Sequence, residues 1–218
     1  MLFDSLEPTG SRTTTDSGTS GLVMYSHSIT HSITEQRQRI RKEMRTLRKR
    51  LSPQQQAFAA QSIINPALDL LCDYQADRIG FYLPFEGEIS PLELMQQIAL
   101  LGKKCYVPVL HPFSANQLLF LEYHSDCLHT NRFGILQPRL DLRKVLPVSE
   151  LEMLFVPLVA CDKNANRIGM GGGFYDRTLS QSPHLVSVGL AHRFQQLDKL
   201  PIQPWDTPLN HLILGDCE

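Results

Sequence analysis

Apolar side chains recur at helical intervals from Glu35 onward. Residues three or four positions apart fall on one face of a helix, so this spacing predicts a helix with a single apolar stripe. The stripe consists of Ile40, Met44, Leu47 and Leu51. A second stripe on the same predicted helix is basic and consists of Arg37, Arg41, Arg45 and Arg48. A basic stripe is typical of a solvated helix face, and it is also compatible with an arm that binds nucleic acid.

Two segments carry the residues that commonly begin a helix. Ser52-Pro53-Gln54-Gln55 places a serine at the N-cap, a proline in the first turn and a glutamine three residues after the cap. This helix should run to about Ile64, because Asn65-Pro66 predicts a break or kink. Ser90-Pro91-Leu92-Glu93 repeats the same start signal, and Gly102 should end that helix.

Short apolar runs between these helical segments predict buried strands. They cover residues 78–83, 104–109, 117–123, 153–159, 185–190 and 211–214. Strands that alternate with helices indicate an α/β protein with a mostly parallel sheet covered on both faces. Residues 131–147 are rich in turn formers, and their pattern predicts no definite element.

The composition fits one α/β domain over residues 34–218, preceded by an extension. The chain has 218 residues, 42% of them hydrophobic, which is enough for a single core. Residues 1–33 are rich in Ser, Thr and Gly, and we expect them to be disordered because they bury too little apolar surface to offset their ordering entropy.

The totals also limit the partners and the compartment. A net charge of −1 predicts no general attraction to nucleic acid or to a membrane. No apolar run approaches the roughly 18 residues of a membrane span, and no signal peptide is evident at the N-terminus. The five cysteines are scattered and odd in number, as in a reduced cytoplasmic protein. We expect a cytoplasmic monomer.

The densest glycine cluster lies between Arg167 and Arg177. Four of the 13 glycines fall within five residues, Gly169-Met170-Gly171-Gly172-Gly173. A predicted strand precedes them and a potential helix start at Phe174 follows, which is an arrangement that binds anions. The two flanking arginines could bond a phosphate, and Asp176 could hold a Mg²⁺ that bridges to it. The spacing matches neither a Walker A motif nor the dinucleotide fingerprint, so a phosphate loop of another class or a plain turn remains.

A second candidate segment follows the predicted strand 78–83. Residues 84–89 contain two acids and an aromatic side chain, and ligands of open α/β sheets bind beyond the carboxyl ends of strands. A purely polar connection would have the same composition.

The longest motif resembles a known enzyme family. Residues 158–167, the glycine loop and Tyr175-Asp176-Arg177 together resemble the signature of the 5-formyltetrahydrofolate cyclo-ligases, also called methenyltetrahydrofolate synthetases. The similarity extends over about residues 37 to 210 and is greatest to the bacterial enzymes. It implies a three-layer, mostly parallel, Rossmann-like α/β fold. It also implies that ATP and Mg²⁺ are used to convert 5-formyltetrahydrofolate into 5,10-methenyltetrahydrofolate, with release of ADP and phosphate.

The resemblance also assigns roles to individual positions. It implies catalytic roles for Arg167, Tyr175 and Asp176, and Mg²⁺ binding by Asp176 and Asp206. The implied ATP site consists of Arg37, Arg41, Arg167, Ile168, Gly169, Met170, Gly171, Gly172, Gly173, Phe174 and Tyr175. The implied folate site consists of Leu83, Glu88, Met170, Gly171, Gly172, Gly173 and Phe174. This chain departs from the family at Arg37, where relatives have lysine, and an arginine places its donors differently.

Two other functions remain open from the sequence. One is an enzyme or binding module for sugar phosphates or CoA esters, which related α/β folds also serve. The other is a protein without enzymatic activity that binds nucleic acid through the basic helix.

Overall fold

The computed structural model describes residues 20–217, with the side chains of the first helix from residue 33 onward. Within this range the helices are α1 (Ser20–Arg48), α2 (Pro53–Ser62), α3 (Ile64–Asp73), α4 (Leu92–Leu100) and α5 (Phe174–Ser180). The strands of the first half are β1 (Arg78–Gly80), β2 (Lys104–Leu110), β3 (Leu118–Glu122), β4 (Leu128–Thr130), β5 (Leu136–Pro138) and β6 (Val145–Leu146). The strands of the second half are β7 (Met153–Pro157), β8 (Ala160–Asp162), β9 (Arg167–Ile168), β10 (Val186–His192), β11 (Gln196–Leu197) and β12 (His211–Gly215).

The largest sheet of the described residues has the order β12-β10-β7-β1-β2-β3-β6. The first five strands in this order are parallel to their neighbours, whereas β3 and β6 are antiparallel. The α/β class and the mostly parallel sheet are therefore confirmed. The antiparallel strands lie together at one edge, which is common for large sheets.

Helices cover both faces of this sheet, as predicted. Consecutive residues of β7 point to opposite faces: Phe155 belongs to a core cluster that also contains residues of α2, α3 and α4. Leu154 and Val156 belong to a second cluster, which contains Leu179 of α5. Phe155 also stacks on Phe81, with ring centroids 4.8 Å apart. Strand β7 is therefore buried on both faces, which accounts for its continuous apolar sequence.

The apolar stripe of α1 packs on a small sheet beside the main one. Met44 is buried, and Ile40 and Leu47 pack around it, against residues of β8 and β9. Helix α1 begins at Ser20 rather than at Glu35, so the second part of the expected extension is helical. The first part, residues 1–19, lies outside the described residues.

The two predicted helix starts differ in how they are capped. Ser52 and Gln55 form the full capping box before α2, so this prediction is confirmed. Helix α4 lacks such a box: its N-cap residue is Pro91, and the Ser90 hydroxyl accepts a bond of 3.4 Å from the Leu92 amide. Gly102 follows α4 with φ of +78°, as the predicted end requires.

The approach to the glycine loop differs from the prediction. Strand β7 ends at Pro157, and the antiparallel hairpin β8–β9 lies between it and the glycines. The turn of this hairpin is held by Asp162, whose carboxylate accepts bonds from the amides of Asn164 and Asn166 at 2.9 and 3.1 Å. The predicted strand 153–159 therefore ends two residues early, at Pro157, and the segment between it and the loop forms a hairpin that was not predicted.

The described chain contains neither a candidate membrane span nor a disulfide. No helix of residues 20–217 is both long enough and apolar enough to cross a membrane. All five cysteines are unpaired thiols in the structure.

Candidate active site at the glycine loop

The glycine loop connects β9 to α5 and depends on glycine at two positions. Gly171 and Gly173 have φ of +101° and +66°, values that other residues rarely adopt. A methyl group added at Gly173 would also lie 2.6 Å from Arg177 Nη1. The Arg177 guanidinium donates to the carbonyls of Gly172 and Gly173 at 3.2 and 3.0 Å. This arginine therefore stabilises the loop from within, instead of standing free beside it as the sequence suggested.

Helix α1 places a cation against the loop. The Arg41 Nε donates to the Gly169 carbonyl at 2.8 Å, and its guanidinium lies 3.7 Å from the position that a Gly171 side chain would take. Burial lowers the pKa of Arg41, and the nearby charge of Arg37 lowers it further, whereas Asp206 raises it. Asp206 offsets one of these two positive charges, so the group keeps a net positive charge that favours an anion beside Arg41.

The second cation of α1 is held by the chain that follows β11. Arg37 forms a two-contact ion pair with Asp206, and one of these contacts, from Nη2 to Oδ1, measures 3.0 Å. The Pro201 carbonyl accepts a further bond from Arg37 at 3.2 Å. Asp206 itself accepts a bond of 2.7 Å from the Gln203 amide. The structure thus brings Arg37 and Asp206 together, although they are distant in sequence.

Arg167 joins the two predicted Mg²⁺ ligands into one cluster. Its side chain is only 3% exposed; it donates to Asp176 Oδ1 at 2.6 Å and to the Thr207 carbonyl. Burial lowers the pKa of Arg167, and the negative charges of Asp176 and Asp206 oppose this shift. Asp176 therefore bonds this guanidinium directly, whereas Asp206, from another segment of the chain, lies close enough for its charge to act on it.

These carboxylates fit Mg²⁺ only together with a ligand that brings oxygens of its own. No group of three or more His, Cys, Asp or Glu side chains suited to a metal occurs in the part of the chain that the structure describes. Mg²⁺ commonly binds one or two carboxylates and completes its shell with water and substrate phosphates. Asp176 keeps 31% of its side chain exposed beside the glycine loop, so it is accessible to such an ion.

The predicted folate segment forms a strained turn under α1. Glu86 and Gly87 are consecutive residues with positive φ, 48° and 74°. The Glu88 carboxylate accepts a bond of 3.1 Å from the Phe85 amide and lies 3.6 Å from Arg48 Nη1. Burial raises the pKa of Glu88 to about 7, against the opposing charge of Arg48. A buried carboxylate with unused oxygen lone pairs can accept hydrogen bonds from a ligand.

Tyr175 connects the folate segment with the glycine loop. Its hydroxyl is buried, which raises its pKa above the ordinary value. The charge of Glu88 raises this pKa further, whereas that of Arg167 lowers it. Tyr175 therefore lies within electrostatic range of Glu88 in the folate segment and of Arg167 beside the glycine loop. This supports a single site that contains both segments.

The other predicted residues differ in exposure. Leu83 is buried in the main core and Ile168 is buried under α1. Phe174 is half-buried, whereas Met170 is 45% exposed at the tip of the loop. Side-chain roles for Leu83 and Ile168 would therefore require a ligand that reaches the edge of the core, while Met170 is freely accessible.

The β4–β5 hairpin also contributes to this region, although the sequence does not predict it. The tip of the β4–β5 hairpin lies over the loop, with the rings of Phe133 and Phe174 edge to face at 6.3 Å. Gly134 lies against Phe85, and the Arg132 guanidinium sits 5.0 Å from the centre of the Phe133 ring. The strands of this hairpin have three residues each, too few for a periodic pattern, so no sequence signal placed it here.

Comparisons with known proteins agree on one family. A family model described as the 5-formyltetrahydrofolate cyclo-ligase family matches residues 33–215. A protein of Haemophilus influenzae named 5-formyltetrahydrofolate cyclo-ligase is 48% identical over 185 residues, covering 84% of this chain and 99% of the relative. The protein of that name from Escherichia coli K12 is 44% identical, covering 76% and 93%. The solved structure of an Aquifex aeolicus 5,10-methenyltetrahydrofolate synthetase superposes with a TM-score of 0.70 at 26% identity, covering 82% and 89%.

Proposed function

Because this chain belongs to the 5-formyltetrahydrofolate cyclo-ligase family, we propose that it cyclises 5-formyltetrahydrofolate to 5,10-methenyltetrahydrofolate with consumption of MgATP. The family places it among the ligases of folate one-carbon metabolism. We also propose that it acts as a cytoplasmic monomer, where its five unpaired thiols stay reduced. The comparisons favour neither the sugar-phosphate alternative nor the nucleic-acid alternative.

One observation carries the proposal from the side of the structure. Arg41 bonds the glycine loop at the Gly169 carbonyl, and Arg167 lies in the strand that leads into this loop. Arg37 lies one turn before Arg41 on α1 and pairs with Asp206, as Arg167 pairs with Asp176. Three cations and two carboxylates near the glycine loop suit a polyphosphate with a divalent ion. In this proposal the loop from Ile168 to Tyr175 holds the ATP phosphates, and the ion pairs between arginine and aspartate exchange for bonds to MgATP.

The reaction needs a good leaving group on the formyl carbon. The formyl oxygen attacks the terminal phosphorus of ATP, and ADP departs with the bonding electrons. The neighbouring folate nitrogen then attacks the formyl carbon and loses its proton, and the C–O bond breaks to release phosphate. Such transfers depend on positioning and on charge stabilisation, so no covalent nucleophile from the protein is required.

The chain's residues divide this work between two sides of the site. Arg41 and Arg167 would neutralise charge on the transferring phosphoryl group. Glu88 would accept hydrogen bonds from the pterin N–H donors, beside Leu83, Phe174 and the loop backbone. Mg²⁺, held by Asp176 and Asp206, would supply charge neutralisation at the phosphate oxygens.

Replacement of Asp176 by asparagine tests the metal assignment. The asparagine amide can keep an acceptor for Arg167 while losing the negative charge that binds Mg²⁺, so we expect a folded protein with turnover reduced about 100-fold or more. The measurement is the rate of methenyl product formation as a function of Mg²⁺ concentration. Asp198→Asn is the matched control, since that side chain is 99% exposed and pairs with Lys163 at 3.7 Å. Wild-type rates and an unchanged Mg²⁺ dependence in Asp176→Asn would remove Asp176 from the site.

A further inference from the structure

Arg48 is an unusual buried cation in this fold. Its side chain is 0% exposed, yet its Nε and Nη2 have no hydrogen-bond partner among the described residues. Its Nη1 has two acceptors nearby: the Leu158 carbonyl at 3.4 Å, the limit of a hydrogen bond, and Glu88 Oε1 at 3.6 Å. A guanidinium carries five donors, and leaving several of them unmet in a buried place is costly. Helix packing alone would be served as well or better by an apolar side chain.

The position of Arg48 relates it to the turn that carries Glu88. A methyl group added at Gly87 would lie 3.0 Å from the Arg48 carbonyl, so the turn packs directly on the α1 backbone. The Gly87 carbonyl also faces His192 Nε2 at 3.1 Å and accepts a bond from Gln56 at 3.3 Å. Contacts from α1, α2 and β10 therefore fix the backbone of this turn. The Arg48 side chain contacts the Glu88 carboxylate that the turn carries.

The charges around Glu88 make Arg48 its principal counterion. Of the described residues, Arg48 is the cation within ion-pair distance of Glu88. Glu86, on the same turn, adds negative charge near Glu88 and raises its pKa. The buried hydroxyls of Tyr82 and Tyr175 also lie near Glu88, whose charge raises their pKa values. The charge of Arg45 lowers the pKa of Arg48, and burial together with the charge of Arg48 lowers the pKa of His192.

We propose that Arg48 is a positioning residue that holds the Glu88 carboxylate ionised and correctly oriented to receive the N–H donors of the folate pterin ring. This inference rests on the proposed function, because it concerns how the folate side of that site works. Without Arg48, only the bond from the Phe85 amide would oppose the effect of burial on Glu88, so the carboxyl would be largely protonated at neutral pH. A protonated carboxyl loses acceptor capacity on one oxygen and fits a donor-rich ring edge poorly.

The test compares Arg48→Met and Arg48→Lys with Arg45→Met in steady-state assays of methenyl formation. Arg45 lies one turn earlier on α1 and pairs with Glu86 at 2.6 Å, but 40% of its side chain is exposed. Arg45→Met therefore removes the same charge from the same helix without touching the Glu88 pair. We expect Arg48→Met to raise the KM for 5-formyltetrahydrofolate about tenfold or more, with the KM for ATP within about twofold of wild type. Arg48→Lys should give a smaller rise, and Arg45→Met should match wild type.

A pH profile separates positioning from a general loss of structure. In wild type, the acid limb of kcat/KM for the folate should report Glu88 at an apparent pKa of about 7. Removal of the guanidinium charge raises that pKa, so the limb of Arg48→Met should move to higher pH by about one unit or more. Arg48→Lys should move it less, and Arg45→Met should leave it in place. A protein that merely loosened would lose rate without moving the limb.

The outcomes distinguish this inference from the proposed function. No methenyl formation by wild type would defeat the proposed function itself. An active wild type, combined with an unchanged folate KM and acid limb in Arg48→Met, would overturn the role of Arg48. If Arg48→Met fails to fold, judged by thermal unfolding, Arg48→Lys decides in its place, and wild-type values for folate KM and acid limb in that variant would overturn the inference.

Discussion

Buried and half-buried charges are concentrated where α1 meets the glycine loop and the Glu88 turn. Arg167 pairs with Asp176, Arg37 pairs with Asp206, and Arg48 faces Glu88. Buried ion pairs rarely add net stability, because the cost of removing each charge from water offsets their attraction. Their presence at one place is better explained by ligand binding, since shifted pKa values and paired charges gather at functional sites.

The pKa of Glu88 predicts a specific pH dependence of stability. Because the folded-state pKa, about 7, lies above the ordinary value of 4.5, the folded protein binds this proton more tightly than the unfolded chain does. The resulting stabilisation is complete below about pH 4.5 and is lost as pH rises to about 7. Relative to Glu88→Gln, wild type should therefore lose about 1 kcal/mol of unfolding free energy per pH unit within this window.

Denaturant unfolding of both proteins at about pH 5, 6 and 7 measures this difference. The comparison between the two cancels the titration of groups that they share. A difference in unfolding free energy that stays constant across this range would show that Glu88 titrates normally.

The two kinds of glycine in the loop should respond differently to alanine. Gly171→Ala forces a side chain into φ of +101° and should cost about 1–2 kcal/mol. Gly169→Ala is the matched control for stability, because its φ lies outside the positive range and no atom lies within 4 Å of an added methyl group. Thermal unfolding without ligands should show a lower Tm for Gly171→Ala only. Equal values of Tm for the two variants would contradict the loop geometry.

At the scale of elements, α2 shows how far local sequence determines structure. Ser52→Ala removes the side chain that accepts the Gln55 amide, so one helix-end donor loses its partner. We expect a loss of about 1 kcal/mol in unfolding free energy. Gln54→Ala, an exposed position in the first turn without a capping role, should leave stability within about 0.5 kcal/mol of wild type. Equal stabilities for both variants would mean that the capping box contributes nothing.

The elements that could be predicted are those whose signals are local. The capping box of Ser52 lies within four residues, and the stripe of Ile40, Met44 and Leu47 repeats along one helix. Strands buried on both faces, such as β7, also stand out as continuous apolar runs. The β8–β9 hairpin could not be predicted, because β9 has only two residues and its turn depends on side-chain bonds from Asp162.

The same division applies to the site. The glycine loop was evident as a compositional cluster, and a resemblance to known enzymes indicated the functional positions in α1 and after β11. The pairing of Arg37 with Asp206, and the approach of Phe133 to Phe174, join residues that are far apart in sequence. In the sequence Arg48 is one member of a regular basic stripe, and only the structure shows that its side chain is fully buried against Glu88.

At the scale of the whole molecule, the fold brings the loops that follow several strands to one region. The Glu88 turn follows β1, the hairpin and glycine loop follow β7, and His192 ends β10, all at the carboxyl ends of parallel strands. Ligands of open α/β sheets commonly bind at this end. Helix α1 then crosses these loops and adds Arg37, Arg41 and Arg48 from one side.

The most direct test of the proposed function is the reaction itself. Purified protein, 5-formyltetrahydrofolate and MgATP are mixed, and the near-ultraviolet absorbance of the methenyl product is followed over time. We expect a rise in absorbance that requires all three components and that stops when a chelator removes Mg²⁺. No rise, from folded protein that still binds ATP, would contradict the folate assignment while leaving the phosphate-binding loop in place.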